Sequence, residues 1–170
     1  MNSAAVAAVA AVGCVRLGEL WLARRNTQAL LAAGAVERGS GHYPLIVALH
    51  AGWLAAIVVL VPDSARVSWP LIGVFLALQA LRIWVLASLG RFWTTRIITL
   101  PGAPLVRRGP YRFIRHPNYL LVAAEIAVLP LAFGAWEVAL VFSVLNAAVL
   151  AWRIRLENEA LAERVPAGAH

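Results

Sequence analysis

Long apolar runs separated by two dense polar clusters set the plan of this chain. A helix that crosses a bilayer needs about twenty mostly apolar residues. One such run extends from Ala4 to Leu22, a second from Tyr43 to Val61, and a third from Trp69 to Leu89. The second stops at Pro62-Asp63-Ser64, which turns the chain. From Asn118 to Trp152 the apolar stretch is too long for one helix. Pro130 and the segment Phe133-Gly134-Ala135-Trp136-Glu137 divide it into a tight hairpin. Two more spans are therefore predicted over 118–133 and 136–152, each short at roughly sixteen residues. The predicted fold class is all-α: a polytopic membrane helical bundle of five transmembrane helices with a C-terminal helical hairpin. With no internal repeat and no low-complexity linker, a single domain is expected over 1–170.

Composition agrees with this pattern and orients it. The 170 residues are 62% hydrophobic and 14% charged, with a mean hydropathy of +0.77. Few soluble domains of this size are so apolar. The fifteen basic residues are all arginine, and the net charge is +7. Such a balance raises nucleic acid as a partner, but these arginines sit between apolar runs, where topology explains them better. Arg24, Arg25 and Arg38 follow span one; Arg91, Arg96, Arg107, Arg108, Arg112 and Arg115 follow span three; Arg153, Arg155 and Arg164 follow span five. Arg66 stands alone on the other side. The positive-inside rule then predicts a cytoplasmic C-terminus and an outer N-terminus, with both polar clusters cytoplasmic. Cys14, the sole cysteine, excludes a disulfide framework and a cysteine metal site. His42, His50, His116 and His170 are too scattered for a histidine-rich centre, so no metal is expected. The N-terminus lacks the basic region of a removable signal peptide.

Polar residues inside spans are costly and usually face a protein interior or a wet cavity. Here they are Arg16 and Glu19 in span one, His50 in span two, Gln79 and Arg82 in span three, Glu125 in span four and Asn146 in span five. Most lie about seven residues from the cytoplasmic end, on the order of 10 Å deep. Arg16 with Glu19, and Gln79 with Arg82, share a face at i,i+3. Asn118 and Glu125 share one at i,i+7, while Asn146, Arg153 and Glu157 form a stripe down span five. Taken singly, Arg16–Glu19 reads equally as a structural pair, Arg82 as a snorkelling cation, and His50 as a packed histidine. Seven polar positions at one depth point instead to a chamber open to the cytoplasm.

The first cluster, Gly109 to Tyr119, sets two arginines, a histidine and two tyrosines around Pro110 and Pro117. Pro117 suits the first turn of a helix, whose free N–H groups and positive dipole end favour an anion. Arg112, Arg115 and His116 add donors, and Tyr111 and Tyr119 add aromatic faces. The set suits a ligand with a carboxylate and a planar ring, or else a belt anchoring a helix at the interface. In the second cluster Arg153 and Glu157 lie one helical turn apart. They can pair with each other, present both signs to a zwitterion, or simply be solvated. Gly39-Ser40-Gly41 lacks the strand–helix context of a nucleotide loop.

The two clusters resemble those of the isoprenylcysteine carboxyl methyltransferase family of integral-membrane enzymes. That pattern is a GPYxxxRHPxY segment before a helical hairpin and an RxxxEE-type segment after it. Residues 109–119 match it in full, and Arg153 to Asn158 match the second segment, with Asn158 in place of the second glutamate. The N-terminal half, through Arg16-Leu17-Gly18-Glu19-Leu20, Arg25-Asn26, Gly34 to Gly39 and His42-Tyr43-Pro44, is similar to a bacterial subgroup. Those members sit beside type III polyketide synthases and O-methylate alkylpyrones or alkylresorcinols.

The resemblance implies an S-adenosyl-L-methionine-dependent methyltransferase of the bacterial inner membrane, with a functional link to a type III polyketide synthase. It assigns cofactor binding to Tyr111, Arg115, His116, Pro117, Tyr119, Glu157 and Asn158. The expected catalytic set is Arg153, Glu157 and Arg82, the arginines holding an acceptor oxyanion in line with the methyl group. The polar layer of Arg16, Glu19, His50, Gln79, Glu125 and Asn146 would line the substrate chamber, which a lipophilic acceptor enters sideways from the bilayer lipids. Residues 91–108 would supply any lid. Competing readings are carboxyl methylation of a prenylated cysteine, N-methylation of an aminophospholipid, and a lipid-binding scaffold with no enzyme activity. A sterol reductase relative would need a nicotinamide cofactor, for which the chain is short.

Overall fold

Strong helix formers carry the first helix well past the apolar run that starts it. The computed structural model describes residues 1–39, 41 and 43–162; Ser40, His42, Arg164 and His170 lie outside the described residues. Helix α1 runs Ser3–Ala32, ten residues beyond the predicted span, because Ala, Leu, Arg and Gln dominate its last three turns. Asn2 caps it, its side-chain oxygen accepting from Ala5 N–H at 3.1 Å. Helix α2 is Tyr43–Leu60, α3 Trp69–Leu89, α4 Pro117–Leu131 and α5 Trp136–Ala162. As at the first helix, α5 outruns its predicted span: it continues through the second polar cluster, which is therefore helical.

Among the described residues the bundle has five α-helices, of which α1, α2, α3 and α5 are long and apolar enough to cross a membrane by themselves. Helix α4 has 15 residues and a length of about 22 Å, below the roughly 30 Å of a hydrocarbon core. It is packed into the bundle, with eight of its residues buried, so most of its surface meets protein rather than lipid. Gly134, at φ +72°, turns α4 into α5. The α2–α3 loop covers that turn, Ser68 N–H donating to Ala132 O at 2.8 Å. The same loop receives the N-terminus, since Asn2 Nδ2 donates to Ala65 O at 3.2 Å. A core of Trp53, Ile57, Phe75, Ile126, Leu129 and Phe133 fills this end.

The opposite end departs from the all-helical pattern. Strands β1 (Val36–Arg38) and β2 (Ile97–Thr99) pair antiparallel, with Glu37 opposite Ile98. Three residues each are too few for periodicity to reveal. The ribbon joins the loop after α1 to the loop after α3, and Thr99 Oγ1 ties it to Ala160 O on α5 at 3.4 Å.

Midway lies a cluster of charge. Arg16 donates to Glu19 at 2.9 Å and to Glu125 at 2.6 Å. Arg82 donates to Glu19 at 2.6 Å and to Glu125 at 2.9 Å. Gln79 Nε2 occupies the remaining Glu125 oxygen at 2.8 Å. Two cations and two anions cancel, and three helices are joined. Replacing Glu125 with alanine strips both arginines of a buried partner and should cost about 3–5 kcal/mol, the range seen when one member of a buried pair is removed. Denaturant or thermal unfolding of detergent-purified protein measures this. A transition unchanged from wild type would mean that the cluster does not hold the bundle.

Candidate active site

At the arginine-rich end the first cluster docks onto α3 through its glycine. Gly109 has φ +57°, and a Cβ there would collide with the Ser88 hydroxyl. Arg108 Nε donates to Ser88 O at 2.7 Å, fixing the same approach. Pro110 opens a short 3₁₀ turn over Gly109–Arg112, and Pro117 opens α4. These two anchors hold Tyr111, Arg115 and His116 over the last turns of α5.

There the two polar clusters interlock. Tyr119, on the first turn of α4, stands between Arg153 and Glu157 of α5. Arg153 Nε donates to the Tyr119 hydroxyl at 2.8 Å, and that hydroxyl donates to Glu157. Arg153 and Glu157 are thus linked through a phenol. Arg153 Nη2 also donates to Thr95 O at 2.8 Å. His116 stacks on Tyr119, ring centroids 5.4 Å apart, and its Nε2–H donates to Asn158 Oδ1 at 3.1 Å. That leaves His116 Nδ1 3.8 Å from Glu157. Asn158, where the family pattern carries its second glutamate, serves as a neutral acceptor for the imidazole.

Two cavities meet at this assembly. The outer one has a volume of about 530 Å³ and is walled by β2, residues 105–107, Tyr111 to His116, and the end of α5 at Arg153, Glu157 and Leu161. Part of the 91–108 segment therefore forms one wall. The inner cavity, about 290 Å³, reaches into the bundle between α1, α2 and α5. It is lined largely by Leu20, Ile46, Leu49, Val122, Val149 and Leu150. Trp93, Thr94, Asn118, Tyr119 and Arg153 line both cavities.

The predicted site residues divide between these places. Tyr111, Arg115, His116, Tyr119 and Glu157 line the outer cavity, and Arg153 the junction. Pro117 is buried as the first residue of α4. Arg16, Glu19, His50, Arg82 and Asn146 line the inner cavity. Gln79 and Glu125 stay outside its lining and hold its charged members. His50 Nδ1–H donates to Ile46 O at 2.9 Å, one turn back on its own helix. Both chamber arginines are neutralised by Glu19 and Glu125, and Arg82 donates through all three of its nitrogens.

Sequence reasoning missed Trp93, Thr94 and Thr95, which lie in an irregular loop with no periodicity to flag them. It also missed Asn26, buried on the extension of α1. Asn26 Nδ2 donates to Gly90 O at 3.1 Å and to Trp93 O at 2.9 Å, fixing that loop. A buried asparagine late in an apolar helix was the available signal.

Comparison with known proteins is consistent with this architecture. Residues 71–163, from α3 to the end of α5, match the model of the isoprenylcysteine carboxyl methyltransferase (ICMT) family. The chain is 40% identical over 152 residues to the uncharacterized protein YpbQ of Bacillus subtilis, covering 87% of this chain and 90% of the relative. It is 30% identical over 162 residues to an uncharacterized protein of Haemophilus influenzae, covering 92% and 94%. No solved structure matches it.

Burial, reinforced by the Glu157 carboxylate, pushes the Tyr111 phenol above its ordinary value. Both effects penalise the phenolate, so Tyr111 keeps its proton where a free tyrosine, near pH about 10, loses it. Titrated across that value, wild type and Tyr111→Phe should show the same rise in tyrosinate absorbance. A wild-type rise larger by one tyrosine would contradict the burial.

Proposed function

The chain belongs to the isoprenylcysteine carboxyl methyltransferase family and is an integral-membrane methyltransferase; from that premise we propose that it transfers a methyl group from S-adenosylmethionine to a hydroxyl of a lipophilic alkylpyrone or alkylresorcinol. The observation that carries this reading is the pair of cavities in series, the outer rich in charged and aromatic groups, the inner largely apolar, with a shared boundary.

The residues of the outer cavity fit the cofactor. Its volume of about 530 Å³ lies within the range of small-molecule sites. Glu157 suits the ammonium of an amino acid group, Arg115 and His116 suit its carboxylate, and the Tyr111 ring suits a purine face. When bound, S-adenosylmethionine supplies an activated methyl group and keeps the carbon–sulfur electron pair as it leaves. The chain's part is to hold the acceptor oxygen in line and to exclude water. Tyr119 and Glu157 also take the proton: the acceptor hydroxyl gives its proton to the Tyr119 oxygen as Tyr119 releases its own to Glu157. The oxygen lone pair then forms the new carbon–oxygen bond. Arg153 holds Tyr119 for this relay and places a positive charge beside the oxygen as it becomes anionic. Arg16, Glu19 and Arg82, tied by Gln79 and Glu125, form the floor of the acceptor chamber. His50 and Asn146 complete its wall.

On this reading the N-terminus lies outside the bacterial inner membrane, and the outer cavity opens to the cytoplasm, where the cofactor is. The acceptor's alkyl tail lies among the bilayer lipids, and a type III polyketide synthase is the expected source of its ring. Purified protein given methyl-labelled S-adenosylmethionine and a lipid extract of its own cells should place label in the organic phase, stable to mild base. Glu157→Gln should lower the rate about 10²–10⁴-fold, the usual worth of a positioned acid–base group. Label released by base as methanol would mean a carboxyl ester instead. No incorporation and no cofactor binding would leave a lipid-binding scaffold.

A further inference from the structure

Among the described residues, two buried side-chain polar atoms have no hydrogen-bond partner: Trp93 Nε1 and Asn118 Oδ1. Leaving such an atom unpaired is costly, and each instance calls for an explanation. Both residues line both cavities, so the two orphans share the boundary where the transfer would occur. Neither satisfies the other. Trp93 is 4% exposed, and its backbone is fixed by Asn26 from α1 and by its own N–H donating to Gly90 O at 3.0 Å. Asn118 is held between Pro117 and Tyr119 on the first turn of α4. The indole is thus positioned by groups from elsewhere in the fold, while its donor is left for something else.

We propose that Trp93 and Asn118 are the acceptor-positioning pair, and that together they select a head group carrying both a hydrogen-bond acceptor and a polar hydrogen. An indole N–H only donates, and an amide oxygen only accepts. A ligand that pairs both must offer a lone pair to Trp93 and a hydrogen to Asn118. Hydroxyarenes and hydroxypyrones do both. A carboxylate only accepts and would turn its charge on the Asn118 oxygen; an alkylammonium only donates and leaves Trp93 unpaired. The chamber favours a neutral head as well, because Arg16 and Arg82 are already paired with Glu19 and Glu125. This inference rests on the methyltransferase reading and narrows its acceptor class.

The test uses the full chain in lipid nanodiscs with labelled 5-pentadecylresorcinol as probe, empty nanodiscs as reference, and three competitors with tails of similar length. These are the dimethyl ether of the probe, a fatty carboxylate and an alkylamine. Wild type should bind the resorcinol about tenfold tighter than its ether, as expected for one or two net hydrogen bonds, and should prefer it to both charged heads. Asn118→Leu should erase most of the preference over the ether, whereas Trp93→Phe should weaken the resorcinol and its ether alike, since both offer a lone pair to the indole, and should erase the preference over the alkylamine. Their affinity for S-adenosylhomocysteine, read by calorimetry, and their unfolding transitions should stay at wild-type values. Equal binding of resorcinol and ether by wild type overturns the proposal, as does a preference for the carboxylate or amine. A preference over the ether that survives in Asn118→Leu overturns it too, and so does a loss of S-adenosylhomocysteine affinity in Trp93→Phe, which would assign the indole to the donor. Failure of wild type to bind S-adenosylhomocysteine would instead count against the methyltransferase reading, since the resorcinol comparison needs no donor.

Discussion

The arrangement of this bundle depends on charge cancelling in its middle. Withdrawing an ion from water costs several kcal/mol even after relaxation, so four unpaired ions at this depth would not be tolerated. Arg16, Arg82, Glu19 and Glu125 are tolerated because each faces opposite charge at hydrogen-bond distance. The pairing works at only one relative height of α1, α3 and α4. It therefore sets the register of three helices and places the chamber floor at a fixed distance from the α4 N-terminus, where Asn118 lies two helical turns from Glu125. Asn118 and Tyr119 are where they are because Glu125 is where it is.

From that floor outward the molecule changes solvent. The inner cavity has apolar walls, suited to a molecule that arrives from lipid. The outer cavity, ringed by arginine, tyrosine and glutamate, suits a charged molecule that arrives from water. On the proposed reading the two reactants share no common phase, and cavities in series joined at Tyr119 and Arg153 would bring them together without either crossing the other's solvent. The Tyr119 phenol, held between Arg153 and Glu157, is one of the groups common to both sides.

Much of this was legible in the sequence. The helices followed from the length and composition of the apolar runs, and the seven intramembrane polar residues from the cost of placing them there. The pairing of the two clusters followed from the family resemblance. Which partners those residues choose was not legible: i,i+3 spacing linked Arg16 to Glu19 but could not show that Arg82 and Glu125 close the ring from other helices. Helix ends were misjudged where strong helix formers continue past the apolar run, as at Ala23 to Ala32 and Arg153 to Ala162. The ribbon and the Trp93 loop had no periodic signal at all. Their positions come from tertiary contacts to Asn26, Ala160 and Arg153, which a one-dimensional pattern does not encode.

On the proposed reading the donor occupies the outer cavity with its reactive end at the Tyr119–Arg153 boundary. An experimental structure of the full chain with S-adenosylhomocysteine bound tests this most directly. The account predicts the ligand between β2, Tyr111 to His116 and Glu157, its sulfur facing Tyr119 and its amino acid group near Glu157 and His116. A ligand seated in the inner cavity, or one whose sulfur faces away from that boundary, would contradict it.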